Sequence, residues 1–96
     1  MTEAIETARA AARAYWRSFD LPGLERIAED PILGPVVITD DEGTEFIAYR
    51  WIGSGRGGDY VQAEVDLPGG RARVHGSRRG DPLPARDVDI APAGPG

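Results

Sequence analysis

The sequence predicts an α+β domain: an N-terminal helix and a short second helix packed on one face of a four-stranded antiparallel sheet. Three observations carry this. Apolar residues recur every three or four positions between residues 2 and 19. Between residues 36 and 78 the period changes to strict alternation. From Gly80 onward both periods dissolve among prolines and glycines. The 96 residues suffice for one domain. We assign it to residues 1–79, followed by a disordered tail over residues 80–96.

In the first helix Ile5, Ala8, Ala12, Tyr15, Trp16 and Phe19 fall on one face. Thr2 is placed to cap it, and Glu3 and Glu6 sit where the helix dipole favours anions. Arg9, Arg13 and Arg17 form a ridge beside the apolar stripe. Asp20-Leu21-Pro22-Gly23 ends this helix. Asp20 then caps a second one, Leu21 to Glu29, with Leu24 and Ile27 facing inward. Pro31, Gly34 and Pro35 stop all helix.

Four strands follow: Val36–Thr39, Thr44–Ile52, Asp59–Asp66 and Arg71–Arg78. Asp40-Asp41-Glu42-Gly43 is hairpin turn chemistry, with Gly43 where a positive φ is needed. Leu67-Pro68-Gly69-Gly70 closes the last hairpin and sets a register that can be checked. It pairs Asp66 with Arg71, Glu64 with Arg73 and Gln62 with His75 on one face. On the other it pairs Val65 with Ala72 and Ala63 with Val74. The same apolar face then receives Ile47, Tyr49 and Trp51. The opposite register would bury Arg50 and expose Trp51, and is rejected. The last seventeen residues hold four of the eight prolines and little that can be buried, so the tail cannot offset its ordering entropy.

Composition narrows the chemistry. With no cysteine there is no disulfide, thiol nucleophile or thiolate metal site. All eleven cations are arginine, which removes Schiff-base lysines and a Walker-type lysine. A net charge of −5 argues against nucleic acid as a partner. No run approaches membrane-spanning length and no signal-peptide pattern opens the chain, so a soluble, cytoplasmic protein with no membrane partner is expected.

Four local features invite a functional reading, and each has a plainer one. Gly53-Ser54-Gly55-Arg56-Gly57-Gly58 matches a dinucleotide fingerprint in spelling, but it joins two strands instead of opening a helix. His75 is the only histidine and lacks a defined partner set, so it reads as a solvent-facing strand residue. Asp40, Asp41, Glu42 and Glu45 lack the spacing of a calcium loop, which alternates ligands over about twelve residues. The aromatic residues of helix and sheet read as core before they read as a ligand pocket. No catalytic residue, metal or cofactor is assigned.

One helix layer covers one sheet face, leaving the other for a partner. That open face is expected to carry Ile38 and Ala48 together with the partner-binding set Phe46, Arg50, Ile52, Tyr60, Gln62, Glu64, Arg73 and His75. Arginine and tyrosine are common interface anchors, and a small core gains from association. The expected partner is a second copy or a basic protein drawn by the net negative charge.

The stretch Tyr15-Trp16-Arg17-Ser18-Phe19-Asp20-Leu21-Pro22-Gly23-Leu24-Glu25-Arg26-Ile27-Ala28 resembles the junction in NTF2-like proteins, where an aromatic helix end meets an Asp-Leu-x-x-Leu step. The order of elements over residues 2–78 is similar to the cystatin/NTF2-like roll. That resemblance implies a small non-catalytic protein-binding module, of toxin-neutralising (immunity-type) or regulatory use. Two alternatives stand beside it: a small enzyme or carrier holding an apolar ligand between helix and sheet, and a homodimeric structural module.

Overall fold

The computed structural model describes residues 3–19, 30–52, 59–78 and 80–89. Among them are one helix, α1 (Glu3–Arg17), and five strands: β1 (Leu33–Thr39), β2 (Glu45–Ile52), β3 (Tyr60–Asp66), β4 (Arg71–Arg78) and β5 (Asp81–Asp89). The strands form one antiparallel sheet in the order β1-β2-β3-β4-β5, with α1 packed mainly on β3. The expected second helix, Leu21 to Glu29, lies outside the described residues, as does the glycine-rich loop 53–58. α1 is not long and apolar enough to cross a membrane.

Every cross-strand pair expected for the β3–β4 hairpin is present, from Asp66 with Arg71 to Gln62 with His75. β2 joins in the expected register, setting Ile47 against Val65, Tyr49 against Ala63 and Trp51 against Val61. These side chains form the core with Ala72, Val74 and the buried stripe of α1. That stripe is largely Ala4, Ala8, Ala11 and Ala12, whose small side chains let the helix axis come close to the sheet. A Cβ added to Gly76 would strike the Tyr60 carbonyl oxygen, so glycine is required where β4 draws tightly against β3.

The turn between β1 and β2 is set by its own side chains. Gly43 has φ +85° and its N–H donates to the Asp40 carbonyl over 3.0 Å. The Asp40 carboxylate accepts the N–H groups of Glu42 and Thr44, each at 2.9 Å. Chiefly through the Thr44 bond, this holds the Asp40 carboxyl below the usual carboxylate range. The acidic turn is thus a structural device, with Asp40 committed to its own backbone.

The sheet differs from the expected one by a fifth strand. Residues 81–89, anticipated as disordered tail, pair with β4 from Arg78–Asp81 to Arg71–Asp89. The physical reason is that β5 is an edge. Its one neighbouring strand is β4, so Pro82 and Pro84 remove donors on a strand that has one ladder to satisfy. Leu83 and Val88 pack on the core. The Tyr15 hydroxyl donates to the Pro84 carbonyl over 2.6 Å. Arg86 donates to Ser18 Oγ over 2.7 Å and lies 4.4 Å from the Phe19 ring centroid. The folded unit therefore continues past residue 79 through β5, and residues 90–96 lie outside the described residues.

Candidate functional site

The alternation of β2, β3 and β4 sends Phe46, Arg50, Ile52, Tyr60, Gln62, Glu64, Arg73 and His75 to the face opposite α1. The structure thus brings the whole expected set together. Their burial is far from uniform. Ile52 is exposed at 43 %, and Arg50, Tyr60, Arg73 and His75 are half-buried. Gln62 and Glu64 are buried, Glu64 to 7 % exposure, and Phe46 is closed off to 1 %. Phe46 is therefore not a free surface anchor. The guanidinium groups of Arg73 and Arg71 roof its ring, at 4.5 and 5.3 Å from the centroid.

The polar groups form one connected array centred on Glu64. Arg50 Nε donates to Gln62 Oε1 over 2.8 Å, and Gln62 Nε2 donates to Glu64 Oε2 over 2.8 Å. Arg73 Nη2 donates to Glu64 Oε1 over 2.9 Å, and His75 Nε2 stands 3.3 Å from Glu64 Oε2. Beyond this array Arg71 Nε reaches Asp66 Oδ2 at 3.3 Å. The aromatic residues brace the cations. Arg50 stacks 4.2 Å from the Tyr60 centroid, and the Tyr60 ring meets His75 edge to face at 6.0 Å.

The His75 contact, with the bonds from Gln62 and Arg73, holds the Glu64 carboxyl at about 2, against an ordinary 4.5, despite burial that pushes it upward. A folded-state pKa below the unfolded value adds stability that is complete above pH 4.5 and is lost as the pH falls towards 2. Urea denaturation of the parent and of Glu64→Gln should differ by roughly 1–2 kcal/mol near pH 7, allowing for solvent screening. The gap should shrink as the pH falls through this window. A gap independent of pH would mean that Glu64 gains nothing from its ionised state in the fold.

Alternation places these residues on one face and the hairpin register pairs Glu64 with Arg73; what it does not supply are the lateral contacts of Glu64 with Gln62 and His75. His75 reads as solvent-facing in sequence and in fact leans on Glu64. Arg71, paired with Asp66 in the same register, lies outside the expected partner-binding set, although it stands two residues from Arg73 on the same face of β4 and its guanidinium reaches the Phe46 ring. The register already contained that signal. Among the described residues no group of three or more acidic or histidine side chains is arranged to hold a metal ion.

No protein-family model, curated protein or solved structure matches the chain.

Proposed function

We propose that this is a non-catalytic protein-binding module whose binding surface is the sheet face opposite α1. The observation that carries the reading is the bracing of its arginines. Arg50 is clamped between Gln62 and Tyr60, and Arg73 between Glu64 and Phe46. Arginines already ordered in the free protein lose little rotamer entropy on association, and their remaining N–H groups suit a partner's carboxylates and carbonyls. Val36, Ile38 and Ile52 add apolar contact at one side of this array. The surface is the kind that a toxin-neutralising or regulatory protein would use, and the arrangement of elements accords with a cystatin/NTF2-like roll. Glu64, held ionised far below neutral pH, is poorly suited to proton transfer there.

The carrier alternative is less well supported. α1 lies close to the sheet through its alanines, and Trp51, Val61, Val65 and Val74 fill the layer beneath it. The test uses Arg50→Ala with Ile52→Glu, two side chains that are not core. The double variant should keep its circular dichroism and lose the partner that the parent retains from its own cell extract. A control at Arg13 and Arg17 on α1 should keep it. Identical retention by all three chains would remove this face from consideration.

A further inference from the structure

The two edges of the sheet are unlike. β5 carries Pro82, Pro84, Asp81 and Asp87, which are features that keep an edge strand from pairing. β1 has no such charges: from Pro31 to Thr39 no side chain is ionisable. Leu33, Val36 and Val37 are exposed large apolar side chains on this strand, Val37 to 61 %. Pro35 lies at the irregularity between Leu33 and Val36, so the run Val36–Thr39 is left regular and free of proline.

The ladder fixes which backbone groups this run presents. The Asp40 N–H donates to the Thr44 carbonyl at the hairpin end. Stepping back by alternation, Ile38 with Phe46 and Val36 with Ala48 occupy the hydrogen-bonded positions. The N–H and C=O groups of Val37 and Thr39 therefore point away from β2, along the open edge.

We propose that β1 pairs antiparallel with β1 of a second copy, about a twofold axis through Ile38, joining the two sheets into one. In this register the Val37 N–H donates to the Thr39 carbonyl of the other copy, and the Thr39 N–H to its Val37 carbonyl. Every outward donor from Val36 to Thr39 is then used. Ile38 faces its own symmetry mate in the closely spaced, non-hydrogen-bonded position. On the α1 side each Val37 arrives beside Thr39 of the other copy. There it meets the β1 margin of a cleft of about 490 Å³ whose apolar lining is Val37, Ile47, Val65, Leu67 and Pro68, with Glu45 and Asp66 also on its wall.

A second copy suits this edge better than a foreign strand. Foreign peptides added to an edge are selected by pockets for alternate side chains. β1 projects β-branched side chains beside such a cleft, and a copy of the same molecule makes the Val37 contact twice, once at each cleft, through one twofold seam. Within the paired run Val36–Thr39 no side chain is charged, so self-pairing sets no like charges directly opposite one another across the seam; the nearby Glu45 and Asp66 stand on β2 and β3, inward of the edge. Twofold pairing closes on itself and consumes an edge that would otherwise invite open-ended aggregation.

The test is sedimentation of the intact chain combined with amide hydrogen exchange. The parent should be a dimer at the higher concentrations, and the Val37 and Thr39 amides should be protected only where the dimer is populated. Val37→Lys should give a folded monomer, with the circular dichroism of the parent and fast exchange at Thr39. Arg50→Ala with Ile52→Glu should leave the dimer intact, which separates this edge from the opposite-face reading. A parent that stays monomeric overturns the proposal. So does a dimer in which the Val37 and Thr39 amides exchange fast, or protection of those amides in the monomer.

Discussion

Truncation after Arg79 is expected to cost at least about 3–7 kcal/mol, a large share of the stability of a domain this size. The estimate has two parts. Leu83 and Val88 are partly buried aliphatic side chains against the core, each contributing about 1–2 kcal/mol. The Tyr15 hydroxyl donates to the Pro84 carbonyl and sits on a residue that is almost wholly buried. Without β5 that hydroxyl must find water or stay unpaired, at about 1–3 kcal/mol. The loss of ladder bonds to β4 adds to both. A domain of this size has only about 5–15 kcal/mol in all. Thermal melts of chains ending at residue 79 and at residue 89 isolate the strand. Equal melting temperatures would mean that β5 adds nothing to the fold.

The same strand shows where the sequence stops being readable. β2, β3 and β4 are legible because alternation, turn residues and charge pairing agree: Asp66 with Arg71 and Glu64 with Arg73 fix the register that Val65 with Ala72 requires. β5 obeys none of these rules. Leu83 and Val88 are an odd number of residues apart, so simple alternation sends them to opposite faces. The irregularity between Val74 and Gly76 absorbs one residue and turns both towards α1. β1 starts three residues before the expected Val36 for a related reason: Gly34-Pro35 looks like a stop in sequence and is an irregularity within a strand that begins at Leu33. At the candidate site, alternation gave the shared face correctly. It gave no measure of burial, because Phe46 and Glu64 are covered by the lengthwise lie of arginine side chains, which strand periodicity does not encode.

Trp51→Ala should remove about 3–5 kcal/mol, the usual cost of deleting a large aromatic from a packed interior. Trp51 heads the largest fully buried side chains at 1 % exposure, on a strand flanked on both sides. Its ring lies 6.1 Å from that of Tyr49 and its backbone pairs with Val61. The surrounding layer cannot collapse into the vacancy, because the alanine stripe of α1 already brings the helix close to the sheet. The next residue supplies the contrast. Ile52 points to the opposite face, is 43 % exposed, and as alanine should cost under about 1 kcal/mol. One step along β2 should therefore change the cost several-fold, which is the energetic expression of the register. Fluorescence gives an independent reading in a Trp16→Phe background, where Trp51 is the only tryptophan left. Its emission should be blue-shifted and poorly quenched by acrylamide, and should move to the red only on unfolding. A red emission in the folded protein would place Trp51 at the surface, and the pairing of β2 with β3 would then have to slip by one residue, exposing Tyr49 and burying Arg50 in the same movement.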